Sequence, residues 1–550
     1  MSPENSNPRK WRYTWEAQSH IPLLKLFIFS PEINLISHCN DLHVNLKFEK
    51  SLLILTWKHE KSPNLVTLLV PLPRVLVDLD SPLNSRVFED HIQVKIPLLL
   101  SVDHPIVSSF ISELNSGDEF GACNSSNGFL EPLSMDSDFK ALSSKGDVDF
   151  YCRNCAFKLT NRSVRCLVDL PSVNWTDVAD NWFGTCCCSF GGISEKLVDK
   201  YVKSYRCAEG TCLLTVASVI LCKDDISGFN PQKADMIRSA ENMLLSDIAD
   251  NCYKTGASVS AEAPLLHDSA AKLGSEHFLE LNKESTEPDE DHEEKPTCAP
   301  PRADSTKDAE TAHGCCEHNA LNPSVKDQPV SGPIDLQADQ KSFLNCYLGN
   351  AFLFRLDGLS KAIEWIDFAC PQCSCTLGAY PCSDGCEPLD GGIRLLKCNI
   401  SISPSELSDD LFSKYTLERM FTCQLLESAK DELSFRSVVK DVKTKSSMMH
   451  VLLLNPSSWC CTGCCSEGTA EPTVKINLHP VVKVLFSHCD DNPDSKSRMD
   501  QDWETKNRAD EIYMLSHVIK ELVKSIEEAT GNFPPSCSSS PGFLLSSIPR

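Results

Sequence analysis

The sequence predicts an α+β, strand-dominated protein with two β-rich regions and a few packed helices, joined by structural zinc. Alternating apolar residues, typical of strands, outnumber helical periodicities. A long acidic segment divides the chain, and one Cys-x-x-Cys pair lies on each side of it. A two-residue spacer lets both thiolates face one ion, and tetrahedral Zn²⁺ takes four ligands. The two pairs together therefore supply one complete set.

The composition restricts the class of protein. Its 550 residues include 52 Lys+Arg and 76 Asp+Glu, a formal net charge of −24. This balance argues against a general nucleic-acid or anionic-membrane binder, because both need clustered basic residues. No apolar run approaches the ~20 residues that span a bilayer, and the first residues lack the apolar core of a signal peptide. We expect a soluble protein of the cytoplasm and nucleus, with no direct nucleic-acid partner and no membrane.

Composition also divides the chain into four parts. Residues 1–16 are polar and predict a flexible N-terminal tail, followed by a β-rich domain at 17–252. Residues 253–342 predict a disordered acidic linker, since the composition changes near Tyr253 and residues 283–342 offer few large apolar side chains and many prolines. Such a segment buries too little surface to offset its chain entropy. Residues 343–550 predict a C-terminal α+β domain.

The first domain shows mostly strand patterns. Scarce helical stretches, with frequent proline and glycine between the strands, indicate a β-sandwich or barrel. A helix that begins at Asn230-Pro231 closes the domain, because proline is favoured at a first helical position. The predicted strands are residues 42–48, 52–57, 64–70, 74–79 and 91–100, and the run Cys212–Cys222 suits a further buried strand.

The second domain mixes both element types. Apolar periodicity predicts helices at 415–432 and 511–530, and Gly531 is a stop signal for the second helix. The predicted strands are residues 393–402, 450–454 and 474–486.

The chain carries 29 cysteines, which intracellular compartments keep reduced. Metal ligation or thiol chemistry is therefore better supported than a disulfide framework. The most economical arrangement uses both Cys-x-x-Cys pairs for one Zn²⁺, which then staples the two domains together. Its predicted ligands are Cys152, Cys155, Cys370 and Cys373.

A rival arrangement makes each metal site local. The first pair would then use members of Cys186–Cys188, and the second pair would use Cys382 and Cys386. A further cluster within residues 460–465 has ligand-like spacing, and it either holds a second metal or forms a cysteine-rich turn. Spacing alone leaves these alternatives open, including the one in which neither pair binds metal.

Common catalytic motifs are absent from the sequence. It contains no GxSxG, no GxxxxGK[ST], no HExxH and no GxGxxG that opens a helix. The residues alone therefore predict a zinc-stabilised cytosolic or nuclear protein.

An ordered set of motifs resembles the HECT-like family of ubiquitin-protein ligases, which bind a ubiquitin-conjugating enzyme. The run Tyr151–Phe190 contains a Cys-x-x-Cys pair, a strand, a Leu-Pro-Ser-x-Asn-Trp helix and a tryptophan-cysteine cluster. Further matches follow in order, namely Cys212-Leu-Leu, Cys370-Pro-Gln-Cys373 and the strand Val481–Leu485. A closing helix and a proline-serine tail complete the set.

The resemblance implies an E3-type ligase that binds a ubiquitin-conjugating enzyme. It would promote transfer of ubiquitin to itself and to substrate lysines, with cyclin-type proteins as suggested substrates. In a HECT-like mechanism ubiquitin first forms a thioester with a ligase cysteine, which needs an accessible thiolate. The C-terminal signature of true HECT ligases is missing here. Within the matched motif Cys187 is the predicted thioester residue, and Cys186 and Cys188 are the alternatives.

A competing function is non-catalytic. The resemblance also implies a zinc-stabilised scaffold or assembly partner of the endonuclease in the pre-mRNA 3′-end cleavage machinery. A β-rich protein with structural zinc suits either role, because fold does not determine function.

Overall fold

A computed structural model of the chain gives the fold, and strands dominate it, as the sequence predicts. It describes residues 11–30, 39–58, 65–107, 109–110, 133–170, 207–230, 363–382, 386–404, 410–431, 433–467, 476–489, 503, 509–540 and 542–550. The predicted linker at 253–342 and the predicted helix after Pro231 lie outside these residues.

The strands in chain order are β1 (Arg12–Gln18), β2 (Leu23–Phe29), β3 (Asn40–Lys47), β4 (Leu52–Lys58), β5 (Leu65–Pro71), β6 (Asn84–Val87), β7 (His91–Pro97), β8 (Tyr151–Cys152), β9 (Cys166–Asp169), β10 (Thr211–Leu214), β11 (Ser218–Cys222), β12 (Glu364–Ala369), β13 (Thr376–Cys382), β14 (Gly392–Leu396), β15 (Ile400–Ser401), β16 (Arg436–Asp441), β17 (Ser447–Cys464), β18 (Ser466–Glu467), β19 (His479–His488), β20 (Asp510–Met514), β21 (Ser539–Ser540) and β22 (Phe543–Pro549). The helices are α1 (Met135–Lys145), α2 (Leu417–Asp431), α3 (Ser516–Thr530) and α4 (Pro535–Ser538).

The largest sheet combines strands from both predicted domains. Its main path is β21-β22-β19-β17-β1-β2-β7-β6, and β16 and β20 extend it beside β17. β1 pairs with β17 from Arg12 opposite Cys464 to Gln18 opposite Ser458. Most of β1 falls within residues 1–16, which composition assigns to the tail. The strand forms there because its backbone pairs with β17 and β2, and because Tyr13 and Trp15 are buried in an apolar core.

A second sheet is equally mixed, with the order β12-β13-β14-β11-β10-β9. β11 comes from the first predicted domain and β14 from the second, and they pair from Ser218 opposite Leu396 to Cys222 opposite Gly392. The described parts of both predicted domains belong to one compact unit of residues 1–240 and 333–550. Composition reveals the acidic segment but not this pairing, which depends on strands far apart in the chain.

Most predicted strands of the first domain are present, as β3, β4, β5 and β7. Two details differ from the sequence prediction. Residues 74–79 form only an isolated bridge between Val77 and Leu98, in a stretch where Pro71 and Pro73 lack an N–H to donate. The run 212–222 is a hairpin and not one strand, because the Thr215 hydroxyl accepts the Ser218 N–H at 2.8 Å and turns the chain.

The second domain shows similar adjustments. The first part of the predicted helix 511–530 is β20, which pairs in parallel with β16, and the helix α3 begins at Ser516. The predicted strand 393–402 is β14 and β15 with a short 3-10 turn, Lys397–Asn399, between them. The predicted helix at 415–432 is α2.

Two apolar cores support these sheets. The smaller core lies among β1, β2, β4, β5 and β7. The larger core packs α2 and α3 with the six-stranded sheet and with β16 and β19. The 18-residue strand β17 contributes to both cores. In the described residues no helix is long and apolar enough to span a membrane.

Candidate functional site

The structure brings together the four cysteines of the two Cys-x-x-Cys pairs, and the cluster can hold a metal ion. Their sulfur atoms all lie within 4.8 Å of one another. The Sγ atoms of Cys152 and Cys373 are 3.7 Å apart, and those of Cys155 and Cys370 are 3.6 Å apart. These partners are separated by 221 and 215 positions along the chain, so the cluster joins two remote segments.

The first pair lies on a tight turn that follows β8. The Ala156 N–H donates to the Cys152 carbonyl at 2.8 Å, and the Cys152 N–H donates to the Phe157 carbonyl at 2.9 Å. Ala156 has a φ of 56°, a left-handed conformation that costs a residue with a Cβ about 1–2 kcal/mol. The turn aims both sulfur atoms to one side.

The second pair repeats this turn between β12 and β13. The Ser374 N–H donates to the Cys370 carbonyl at 2.9 Å, and the Cys370 N–H donates to the Cys375 carbonyl at 2.8 Å. Ser374, like Ala156, has a left-handed φ, here 59°. Strained residues of this kind persist where the surroundings determine them, which is common at functional sites.

Arg153, inside the first spacer, fixes that turn to the second half of the chain. Its guanidinium donates to the carbonyls of Lys397, Ile400, Phe412 and Tyr415 at 2.6–3.3 Å. β8 and β15 add a short ladder in which Ile400 lies opposite Cys152. The two turns are therefore positioned by protein contacts as well as by the sulfur cluster.

The environment shifts the pKa values of Cys152, Cys155 and Cys373 in different directions. The Asn154 side chain hydrogen-bonds to Cys373 and lowers the pKa of this thiol to about 6. Burial raises the pKa of the Cys152 thiol and that of Cys155. Thiolates are the form that binds metal, so a bound cation would favour deprotonation of all four.

A buried ionic network lies behind the first turn. Lys397, whose carbonyl Arg153 contacts, has a fully buried ammonium 2.7 Å from the Asp138 carboxylate in α1. The Tyr415 hydroxyl donates to the same carboxylate, and Lys414 lies 2.8 Å from its other oxygen. This network joins α1 to the second half of the chain beside the cluster.

The other predicted site residues fall elsewhere. Cys186–Cys188 lie outside the described residues. Cys382 and Cys386 are buried but are not part of the metal-ligand group, so the local arrangement of the second pair is not observed. The cluster at 460–465 is neither a turn nor, among the described residues, a metal group, because residues 460–464 lie in β17 and alternate between its faces.

Sequence reasoning did not identify the role of the spacer residues. Arg153 and Asn154 are the two spacer residues of the first pair, and both contact the second half of the chain. In the sequence, only their position between two predicted metal ligands pointed to a role for them. Lys397 gave no signal, since its burial depends on the tertiary structure.

Comparison with known families shows which family the chain belongs to. The sequence pattern described as HECT-like ubiquitin-conjugating enzyme (E2)-binding matches residues 104–265 and 288–542, most of the chain. The chain belongs to this family. Each matched segment of the HECT-like family contains one Cys-x-x-Cys pair, so the four-cysteine cluster joins the two parts of the family's pattern. No curated protein and no solved structure matches the chain.

Proposed function

We propose that this protein is an E3-type ubiquitin-protein ligase. It binds a ubiquitin-loaded conjugating enzyme and promotes transfer of ubiquitin to lysines of a substrate, such as a cyclin, and to its own lysines. Membership of a family described by its binding to a ubiquitin-conjugating enzyme carries this proposal. The match supports the binding step most directly, and transfer is the activity that such binding serves.

The proposal includes Zn²⁺ as the ion of the four-cysteine cluster. Four thiolates are a typical structural zinc set, with Zn–S distances of about 2.3 Å. A tetrahedron with these bonds has S–S edges of about 3.8 Å, close to the 3.6 and 3.7 Å in the cluster. The ion would stabilise the fold by holding the two turns together, because binding to a site absent from the unfolded chain contributes directly to folding.

The chemistry of the cluster supports a reducing compartment. Zinc ligation by Cys152, Cys155, Cys370 and Cys373 requires reduced thiols, which the cytoplasm and nucleus maintain. The proposal therefore places the protein in the cytoplasm and nucleus.

Binding and transfer are tested on the full chain in one experiment. Purified protein is immobilised and incubated with a panel of ubiquitin-conjugating enzymes, each charged with ubiquitin. We expect at least one enzyme to be retained and to yield ubiquitin adducts on the protein. The matched control is the same enzyme with its active-site cysteine replaced, which should be retained without producing adducts.

Two results would contradict parts of the proposal. Failure to retain any conjugating enzyme would overturn the binding step. Retention without ubiquitin transfer, in the presence of every enzyme of the panel, would overturn the ligase and favour the non-catalytic scaffold. Co-purification with the endonuclease of pre-mRNA 3′-end cleavage would then test that second role.

A further inference from the structure

We propose that Cys489 receives ubiquitin as a thioester and that His450 accepts the proton of its thiol. This inference rests on the proposed ligase function and adds the residues that would perform the transfer. It differs from the prediction of Cys187, which lies outside the described residues.

The two side chains form a thiol–imidazole pair. The Cys489 Sγ lies 3.2 Å from the His450 Nδ1, within hydrogen-bond distance. Cys489 is partly exposed, whereas His450 has 1% of its surface exposed. A nucleophile that a partner can reach, beside a base held in the protein, is the arrangement that activates a cysteine.

The sheet and an aromatic contact fix the histidine. His450 lies in β17 between two paired strands, opposite Val438 of β16 and Ser487 of β19. The ring packs edge-on against Trp503, with ring centroids 5.0 Å apart. A base held this firmly needs little reorganisation when it accepts a proton.

The cysteine follows directly after β19. Its N–H donates to the Met448 carbonyl at 3.1 Å, which continues the ladder in which Met449 lies opposite His488. The Met448 sulfur accepts the hydroxyl of Ser516, the first residue of α3, at 3.9 Å. The thiol therefore lies where the end of β19 meets the start of α3.

A Cys–His pair can also supply two of the four ligands of a zinc site. Among the described residues the metal-ligand group that comes together is the four-cysteine cluster. A partly exposed thiol beside a buried imidazole is the arrangement of a nucleophile and its base.

The proposed step is a transthiolation that balances within its reactants. His450 takes the Cys489 proton, and the thiolate attacks the thioester carbonyl of the ubiquitin-loaded conjugating enzyme. A new bond forms between Cys489 Sγ and the carbonyl carbon, and the bond to the enzyme's sulfur breaks. The enzyme leaves as a thiolate and regains a proton from His450. A lysine amine then attacks the Cys489 thioester, forms an isopeptide bond and releases the Cys489 thiolate.

Trapping the adduct on the full chain tests this assignment. The chain is mixed with charged conjugating enzyme, and the products are separated with and without reductant. We expect wild type to form a reductant-sensitive adduct. Cys489→Ala should lose it, and Cys489→Ser should give no adduct or one that resists reductant and is released by hydroxide. Cys166→Ser, which alters an exposed thiol on β9, should leave the adduct unchanged.

The role of the histidine needs a readout that does not depend on ubiquitin. We expect His450→Gln to slow adduct formation by roughly 100-fold, as for loss of a general base. The same variant should slow alkylation of Cys489 by iodoacetamide at neutral pH, as followed by mass spectrometry. Retention of the conjugating enzyme by each variant shows that the chain is folded and that the binding step is intact.

Several outcomes would overturn the assignment while leaving binding intact. A full reductant-sensitive adduct on Cys489→Ala is one. Loss of the adduct on Cys187→Ser, with Cys489→Ala still active, would move the thioester to the predicted cluster at 186–188. A wild type that retains the enzyme but forms no thiol adduct would refute a cysteine intermediate. Loss of retention in wild type would instead refute the proposed function itself.

Discussion

A buried lysine is the residue-scale feature that most constrains this protein. No part of the Lys397 side chain is exposed, and burial lowers the pKa of its ammonium, while the Asp138 carboxylate opposes that shift. Lys414 and the Tyr415 hydroxyl complete the contacts of this carboxylate. Breaking a buried pair by removal of one partner leaves an uncompensated charge, which costs about 3–5 kcal/mol.

We therefore expect Asp138→Asn to lower the free energy of unfolding by about 3–5 kcal/mol. Combining it with Lys397→Met should recover part of this loss, because the double variant leaves no unpaired ammonium. Urea unfolding measures the free energy of unfolding of the single and the double variant. The control is the exposed pair of Arg165 and Asp147, where Arg165→Ala should cost less than about 1 kcal/mol. Equal losses of unfolding free energy at both sites would show that the buried network stabilises the fold no more than an exposed ion pair does.

At the scale of elements, the two cysteine turns behave as a matched pair. Each has the same two backbone hydrogen bonds and a left-handed residue after its second cysteine, namely Ala156 and Ser374. Neither turn has enough ligands for an ion alone. The elements that carry them, β8 on one side and β12 and β13 on the other, are thus linked through their shared sulfur cluster.

Removal of one ligand should affect both turns. We expect Cys373→Ser to reduce bound zinc from about one ion per chain to near zero. With a loss of a few kcal/mol, the melting temperature should fall by roughly 5–10 °C. Elemental analysis and limited proteolysis provide the measurements. Cys375→Ser, which alters an exposed cysteine two residues further on, should change neither. Proteolytic sensitivity limited to residues near 370 would instead favour a local site.

At the scale of the whole molecule, the protein keeps many thiols neutral by burying them. Burial raises the pKa of Cys212, Cys398 and Cys460 from the ordinary value of 9.0 to about 12 in each case. They lie on or near different sheets, so the effect is distributed through the fold. Above pH 9 the unfolded chain loses these protons, whereas the folded chain retains them.

Stability should therefore be complete below pH 9 and fall as the pH rises from 9 to 12. Each thiol contributes a slope of up to about 1.4 kcal/mol per pH unit in this range. Urea unfolding at pH 8, 9 and 10 in reductant measures the slope. Cys212→Ala should reduce the slope of unfolding free energy against pH by the contribution of one thiol. Cys166→Ala, at an exposed site, should leave this slope unchanged. A slope that Cys212→Ala leaves unchanged would contradict this account.

Some properties of this protein follow from its sequence alone. Alternation over a few residues predicted β3 and β7, and a short apolar run predicted β4, because both patterns are local properties of a strand. The ordered motifs predicted the HECT-like family, and the match over residues 104–265 and 288–542 confirms it. The two Cys-x-x-Cys pairs were likewise visible, since a two-residue spacer is enough to aim two thiols at one ion.

Only the tertiary structure decided which remote groups meet. It placed β1 beside β17, brought sulfur atoms 215 and 221 positions apart into one cluster, and brought Cys489 to His450 across 39 positions. The first residues of the predicted helix 511–530 form β20 instead, because they pair with the edge of β16. Local periodicity does not indicate which strands pair or which side chains meet. Strand order and register are set by packing between segments far apart in the chain.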